Sequence, residues 1–392
     1  MSIVIKKTHR WCMVSSAMAL FVAALFFVVA MSGCNKVDER ENNPLKSLAD
    51  TSGNFALPNK SNKITFPAAH APHKAYRQEW WYLTANLTTD DGQIFATQWT
   101  LFRRAVEQKH WYFAHAALAN NNHHLSAYRD GREELGNVVI NTEPFDARID
   151  DWRWHSEWSL LPAQLSYGSH LLDDNNKDDN STDRNNEQRN KLNIEQDKNS
   201  WQVRLNLSEQ AHYYLQGEQG FSQKHHQLNI ASHYYSQPFI DVQGDVFWQN
   251  KWQKVSGKAW LDREWGSRML AADQQGWDWF SLRLDNNTAL MVYRIRSEQR
   301  DYLYGSVMKQ GGDIRTLSEI DVNLVEVKKA GRADGKYPQS FKLSIIREGI
   351  DIDVNVVNPN QVMRFGIEYF EGMVTFSGSH QGEGFLEMTG YQ

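Results

Sequence analysis

The sequence predicts an all-β protein made of two consecutive antiparallel β-barrels, and three observations carry that expectation. Apolar residues recur with period two, short polar turns separate the alternating runs, and no segment keeps a convincing helical period over three turns. At 392 residues the chain suits two domains, and 41% hydrophobic residues, including 15 Trp, 15 Tyr and 18 Phe, supply the apolar surface for two cores. Closing a sheet removes its exposed edges, so two meandering barrels are expected in place of one large open sheet.

Residues 1–33 are expected to be a lipoprotein signal peptide. Lys6, Lys7 and Arg10 precede an apolar run from Trp11 to Met31, the layout of a secretory signal. Met31-Ser32-Gly33-Cys34 resembles a bacterial lipobox, which makes Cys34 the expected lipidation site. The other reading is an uncleaved membrane anchor, because the run is long enough to span a bilayer. Asn35 stands where an aspartate would signal retention in the inner membrane, so a lipid-anchored, periplasm-facing place in the bacterial envelope is expected, outer membrane before inner. Both cysteines, Cys12 and Cys34, fall in this stretch, which leaves neither a disulfide framework nor a cysteine-bound metal. Residues 34–62, polar from Lys36 to Asn43, read as a flexible tether.

An N-terminal domain is expected over 63–240. At about 173–200 it is interrupted by a polar insertion opening with Asp173-Asp174-Asn175-Asn176, which has almost nothing apolar to bury; a hinge between domains is the alternative. Alternation resumes at Val203, Leu205 and Leu207. The C-terminal domain is expected over 241–392. The boundary is set after Ser236-Gln237-Pro238, since a proline can end a strand, and before Gly244-Asp245-Val246. Beyond it, Asp285-Asn286-Asn287-Thr288 separates two strand-like runs, and Arg347-Glu348-Gly349 precedes Ile350, Ile352, Val354 and Val356, which alternate with polar residues as in a strand with one wet face.

A net charge of −5 without a Lys/Arg-rich block gives a nucleic-acid partner no electrostatic footprint. No Gly-x-Ser-x-Gly elbow or phosphate loop occurs, and the pairs His123-His124 and His225-His226 would point to opposite faces of a strand. Neither a metal nor another cofactor is expected. If 258–265 is a strand, Trp260, Asp262 and Glu264 share one face and Leu261, Arg263 and Trp265 the other. An Asp262 carboxyl beside an indole in an apolar site would hold its proton near neutrality and could act as a general acid. The alternative is an aspartate paired within Asp262-Arg263-Glu264 to hold a strand end.

Trp260-Leu261-Asp262-Arg263-Glu264-Trp265 occurs with Glu79-Trp80-Trp81-Tyr82, Gln98-Trp99-Thr100-Leu101-Phe102-Arg103, Ala114-His115-Ala116, Gly220-Phe221-Ser222, His233-Tyr234-Tyr235, Gly276-Trp277-Asp278-Trp279 and the terminal Gly384-Phe385-Leu386-Glu387. Taken in chain order, from about 76 to 392, these segments closely resemble the AttH-like family, which includes the carotenoid 1,2-hydratases. The resemblance implies two consecutive lipocalin-like barrels of the calycin type, lipid or isoprenoid handling and, in some members, association with ABC transport components. It places the presumed acid at Asp262 and an upstream histidine at His233, with Tyr235 and Trp260 beside them. Trp277, Trp279, Trp81, Glu79 and His115 are the remaining candidates for substrate contact. For Glu79 and Trp81 the competing reading is the barrel-closing tryptophan stacked by an arginine; for His115 it is a satisfied interior histidine. Two functions follow. The first is an envelope lipoprotein that binds a hydrophobic small molecule, a lipid or isoprenoid, possible partners being ABC transport components and the membrane through Cys34. The alternative is a hydratase-like or hydrolase-like enzyme on an unsaturated isoprenoid with Asp262 as acid. The expected outer-membrane location ranks binding first.

Overall fold

The computed structural model describes residues 48–49, 52–107, 109–169, 200–329 and 336–391. The signal segment with Cys34, most of the tether and nearly all of the polar insertion lie outside them. The strands of the first sheet are β1 (Gln78–Thr89), β2 (Ile94–Val106), β3 (Lys109–Ala119), β4 (His124–Gly131), β5 (Val138–Thr142), β6 (Phe145–Ile149), β7 (Trp152–His155), β8 (Ala163–Gly168), β9 (Gln202–Leu207), β10 (Tyr214–Leu215), β11 (Phe221–Gln223), β12 (Ala231–Trp248) and β13 (Lys251–Arg268). The second contains β14 (Gln274–Asp285), β15 (Thr288–Ser297), β16 (Tyr302–Lys309), β17 (Ile314–Ser318), β18 (Asn323–Lys329), β19 (Pro338–Ile345), β20 (Ile350–Val356), β21 (Val362–Phe365), β22 (Ile367–Gly378) and β23 (Gly382–Thr389). Only short 3₁₀ turns accompany them among the described residues, none of whose helices is long and apolar enough to cross a membrane.

Both sheets are antiparallel and curled. The first runs β4-β3-β2-β1-β13-β12-β9-β8-β7-β6-β5 and nearly closes into a barrel, whereas the second, β17-β16-β15-β14-β23-β22-β20-β19-β18, is a half-barrel. The alternation read from the sequence is the one observed: in β20 Ile350, Ile352 and Val354 are buried while Asp351, Asp353 and Asn355 are exposed. Asp285 pairs with Thr288 across the hairpin, and Gly349 takes a positive φ of 67° at the turn before β20. Gly257 has no room for a side chain, since a Cβ there would stand 2.0 Å from the Asn86 carbonyl oxygen of β1.

The division expected near 240 falls inside β12. Pro238 does not end that strand; a register shift between Gln237 and Ile240 absorbs it, and pairing with β13 continues to Trp248. The chain changes sheet instead between Arg268 and Gln274. Each sheet has its own core, the first around Trp99, Trp152, Trp154 and Leu261, the second around Phe280, Phe341 and Phe370. A third buried cluster, with Tyr82, Tyr234 and Trp260 from one side and Trp279, Met291, Tyr293, Met373 and Phe385 from the other, occupies the layer where the outer face of the barrel meets the second sheet. Buried carboxyl groups, Asp262 and Glu371 among them, sit in that layer.

Candidate active site

Alternation along β13 sorts the chemistry onto two faces. Inside the barrel, the Arg263 guanidinium lies 3.7 Å over the Trp81 ring and donates to Glu79 at 3.0 Å. Arg103 donates to the other Glu79 oxygen, the His73 backbone N–H donates to both, and the His73 ring stacks on Trp265 at 3.8 Å. Burial pushes the Glu79 carboxyl up, but Arg103, the His73 hydrogen bond and Arg263 outweigh it and hold it well below the usual carboxylate range. Glu79 and Trp81 are therefore parts of a closed ion-pair and stacking plug.

His233 and Tyr235 lie on this same inner face. The His233 ring packs 5.5 Å from Trp265, and burial, then the neighbouring His73, push it down to about 4. The Tyr235 hydroxyl is 2.6 Å from His70 Nδ1. Register explains why neither reaches Asp262: His233 is opposite Trp265 on β13, whereas Ser236 is opposite Asp262. The structure thus separates the two residues that the resemblance sets together by the thickness of a sheet.

On the outer face Asp262 is 3% exposed. Its Oδ1 accepts from Ser236 Oγ at 2.5 Å and from Trp260 Nε1 at 3.0 Å. Burial pushes the carboxyl up to about 7, against hydrogen bonds from Ser236, Trp260 and Tyr234 that pull it down. Because Ser236 and Trp260 both donate to Oδ1, the proton of the acid form belongs on Oδ2. Trp260 and Trp279 meet edge to face at 6.0 Å, Tyr82 and Trp279 do so at 5.3 Å, and Trp279 Nε1 donates to the Tyr234 hydroxyl at 3.2 Å.

The second sheet completes the site with two carboxyl groups. Glu371 on β22 and Glu387 on β23 are directly opposed in register. Tyr82 Oη donates to Glu371 at 2.7 Å and Trp277 Nε1 to Glu387 at 2.9 Å. Burial pushes Glu387 up to about 7, and burial with the neighbouring Glu387 raises Glu371 well above the ordinary range. Glu264, beside Asp262 on β13, is held by Lys224 at 2.7 Å and Ser232 at 2.5 Å. Among the described residues no group of three or more His, Cys, Asp or Glu is arranged to hold a metal.

Of the residues picked from the sequence, Asp262, Trp260, Trp277 and Trp279 converge here. His115 lies further along the same face of the barrel, its Nδ1 2.8 Å from the Tyr369 hydroxyl. Tyr82, Tyr234, Ser236, Glu371 and Glu387 are additions. Their one sequence signal is a polar group in a strand buried on both faces, as with Glu371 in Tyr369-Phe370-Glu371-Gly372-Met373.

A Nitrosomonas europaea crystal structure provisionally assigned as AttH is 26% identical, covers 86% of this chain and 100% of its own, and superposes with a TM-score of 0.71. Kievitone hydratase from Nectria haematococca, at 16% identity and a TM-score of 0.61 over 88% of this chain and 96% of that one, shares the fold. No curated protein matches. Residues 57–391 match the AttH-like family profile, and the chain belongs to that family.

Proposed function

We propose that this chain is a hydratase-like enzyme that adds water to a carbon–carbon double bond of an unsaturated isoprenoid, with Asp262 as general acid. One observation carries the reading: a carboxyl group shut into an aromatic layer, pushed up to about 7, with Ser236 and Trp260 both donating to its Oδ1. Such a group keeps a proton at neutral pH and directs it at whatever lies against Oδ2. The proton adds to one alkene carbon as the π pair forms the new C–H bond, leaving a cation on the other carbon. The faces of Trp260, Trp279 and Tyr82 stabilise that cation. A water oxygen then forms the C–O bond, and the proton it sheds passes to the Glu387–Glu371 pair, from which Asp262 is reprotonated. One water is consumed and every carboxyl group returns to its starting state.

Kievitone hydratase establishes only that a protein of this fold can be a hydratase; the assignment here rests on the residues. A pure binding role gives no reason for three up-shifted carboxyl groups in an apolar layer, since each weakens the fold. The test is incubation with geranylgeraniol in heavy-oxygen water, followed by mass spectrometry for a product that has gained one labelled water. Asp262→Asn lowers the rate on the order of 10²–10⁴-fold; turnover at the parental rate by a folded Asp262→Asn protein overturns the reading. The lipid anchor at Cys34 belongs to the same proposal, as the means of keeping the enzyme beside membrane-borne substrate. Failure of Cys34→Ser to release the protein from the membrane fraction counts against that part.

A further inference from the structure

Strands β12, β13, β1, β2, β3 and β4 are consecutive neighbours, and their register sets Ser236, Asp262, Tyr82, Thr100, His115 and Tyr128 side by side in one file facing outward from the barrel. At about 4.8 Å per strand, His115 stands about 14 Å along the sheet from Asp262. The adjoining file on the same face consists of Trp80, Phe102 and Phe113.

His115 is 3% exposed, and its Nε2, shut away from water, has no hydrogen-bond partner. The rings of Phe102, Phe113, Tyr128, Phe365 and Tyr369 surround it at centroid distances of 5.2 to 5.8 Å. Burial pushes the imidazole down to about 3, so it is neutral. An unpaired ring nitrogen in such a place weakens the fold unless a ligand completes it. The cage is not sealed: Tyr128 is 38% exposed and Phe365, on the β21–β22 ribbon, is half-buried.

We propose that His115 is a specificity-determining residue that hydrogen-bonds the hydroxyl group of an acyclic isoprenoid alcohol, whose chain runs past Thr100 and Tyr82 to bring a distal double bond to Asp262. The inference rests on the hydratase reading for the reacting end and adds recognition of the other end. A hydroxyl both donates and accepts, so it satisfies Nε2 in either tautomer. A phosphorylated end group is disfavoured, because a neutral imidazole among rings offers no counter-charge. Entry requires the Tyr128 and Phe365 rings to part.

The experiment measures equilibrium binding by tryptophan quenching on the Asp262→Asn protein, where turnover does not intervene. The probes are geranylgeraniol and the matching hydrocarbon that lacks its hydroxyl. The alcohol binds about tenfold more tightly. His115→Phe, which refills the cage with a ring, erases that preference and leaves hydrocarbon affinity within about twofold. His115→Gln, which restores a donor and an acceptor, retains part of it. Equal binding of the two probes by the protein with His115 intact, absence of saturable binding by either, or a preference that survives His115→Phe each overturns the proposal. The two readings fail separately, since turnover by Asp262→Asn interrogates the acid and alcohol preference interrogates His115.

Discussion

A carboxyl group taken out of water resists ionisation until cations or donors compensate, and this molecule holds both solutions a sheet's thickness apart. Glu79 has two guanidinium partners and stays ionised; Glu79→Gln strands Arg103 and Arg263 without an anion, so urea melts are expected to show a loss of about 3–5 kcal/mol. Asp262 has donors but no cation and sits at about 7. Catalysis needs Asp262 protonated and the Glu387–Glu371 pair able to accept a proton. With Asp262 and Glu387 both near 7, rate plotted against pH is expected to be a narrow bell centred there, its limbs belonging to the coupled set. Glu387→Gln is expected to slow turnover and remove the acid limb; a bell of unchanged shape in that variant rules out the proton-acceptor role. Asp262 and Trp260 were legible as a pair in the sequence because they lie two residues apart in one strand. Glu371 was not, because its partner Tyr82 is 289 residues away and only the packing of two sheets joins them.

At the scale of the element, β12 decides which residues meet. Ser232, Tyr234 and Ser236 face the layer, while beyond the bulge Ile240, Val242 and Val246 face the barrel core. Strict period two would send Ile240 to the same side as Ser236; the extra residue between Gln237 and Ile240 reverses the parity, and Gln237 Oε1 accepts from Phe239 N–H at 2.8 Å to fix the kink. Deleting Pro238 therefore puts either the Asp262 partner or the core residues on the wrong face. The deletion is expected to yield no cooperatively folding protein, whereas Pro238→Ala, which keeps the residue count, is expected to fold, with near-ultraviolet circular dichroism as the measurement. The strands themselves were legible from alternation, as β9 and β20 show. The parity switch was not, since Gln237-Pro238 reads equally as a strand end, and a domain boundary placed there falls in mid-strand.

Across the whole molecule, the buried carboxyl and imidazole groups act in opposite directions and set an upper pH limit to the stable range. Asp262 and Glu387 have folded values raised to about 7 and Glu371 is raised further, so the stability they confer is full below the ordinary carboxylate range and is lost as pH rises through about 7. His70 and His115 are pushed down by burial to about 3 and His233 to about 4; their contribution is present above the imidazole value of about 6.5 and fades as pH falls below it. Glu79, held low, loses its contribution only below about pH 4 and does not shape this window. Between about pH 4.5 and 6.5 the three raised carboxyl groups and the three depressed imidazoles nearly cancel, and above about 6.5 only the carboxyl loss continues, so stability is expected to be nearly level at mildly acid pH and to decline above about pH 6.5. For Asp262 the gap between an ordinary aspartate and about 7 corresponds to about 4 kcal/mol, so Asp262→Asn is expected to be more stable than the parent at pH 8 by up to about that amount, the difference shrinking to about 1.5 kcal/mol at pH 5 and vanishing only below the ordinary aspartate value of about 4. Thermal melts from pH 5 to 8 check this directly. A parental curve that rises steadily to pH 8, or an Asp262→Asn protein less stable there, shows that the layer between the sheets does not hold its carboxyl groups out of water.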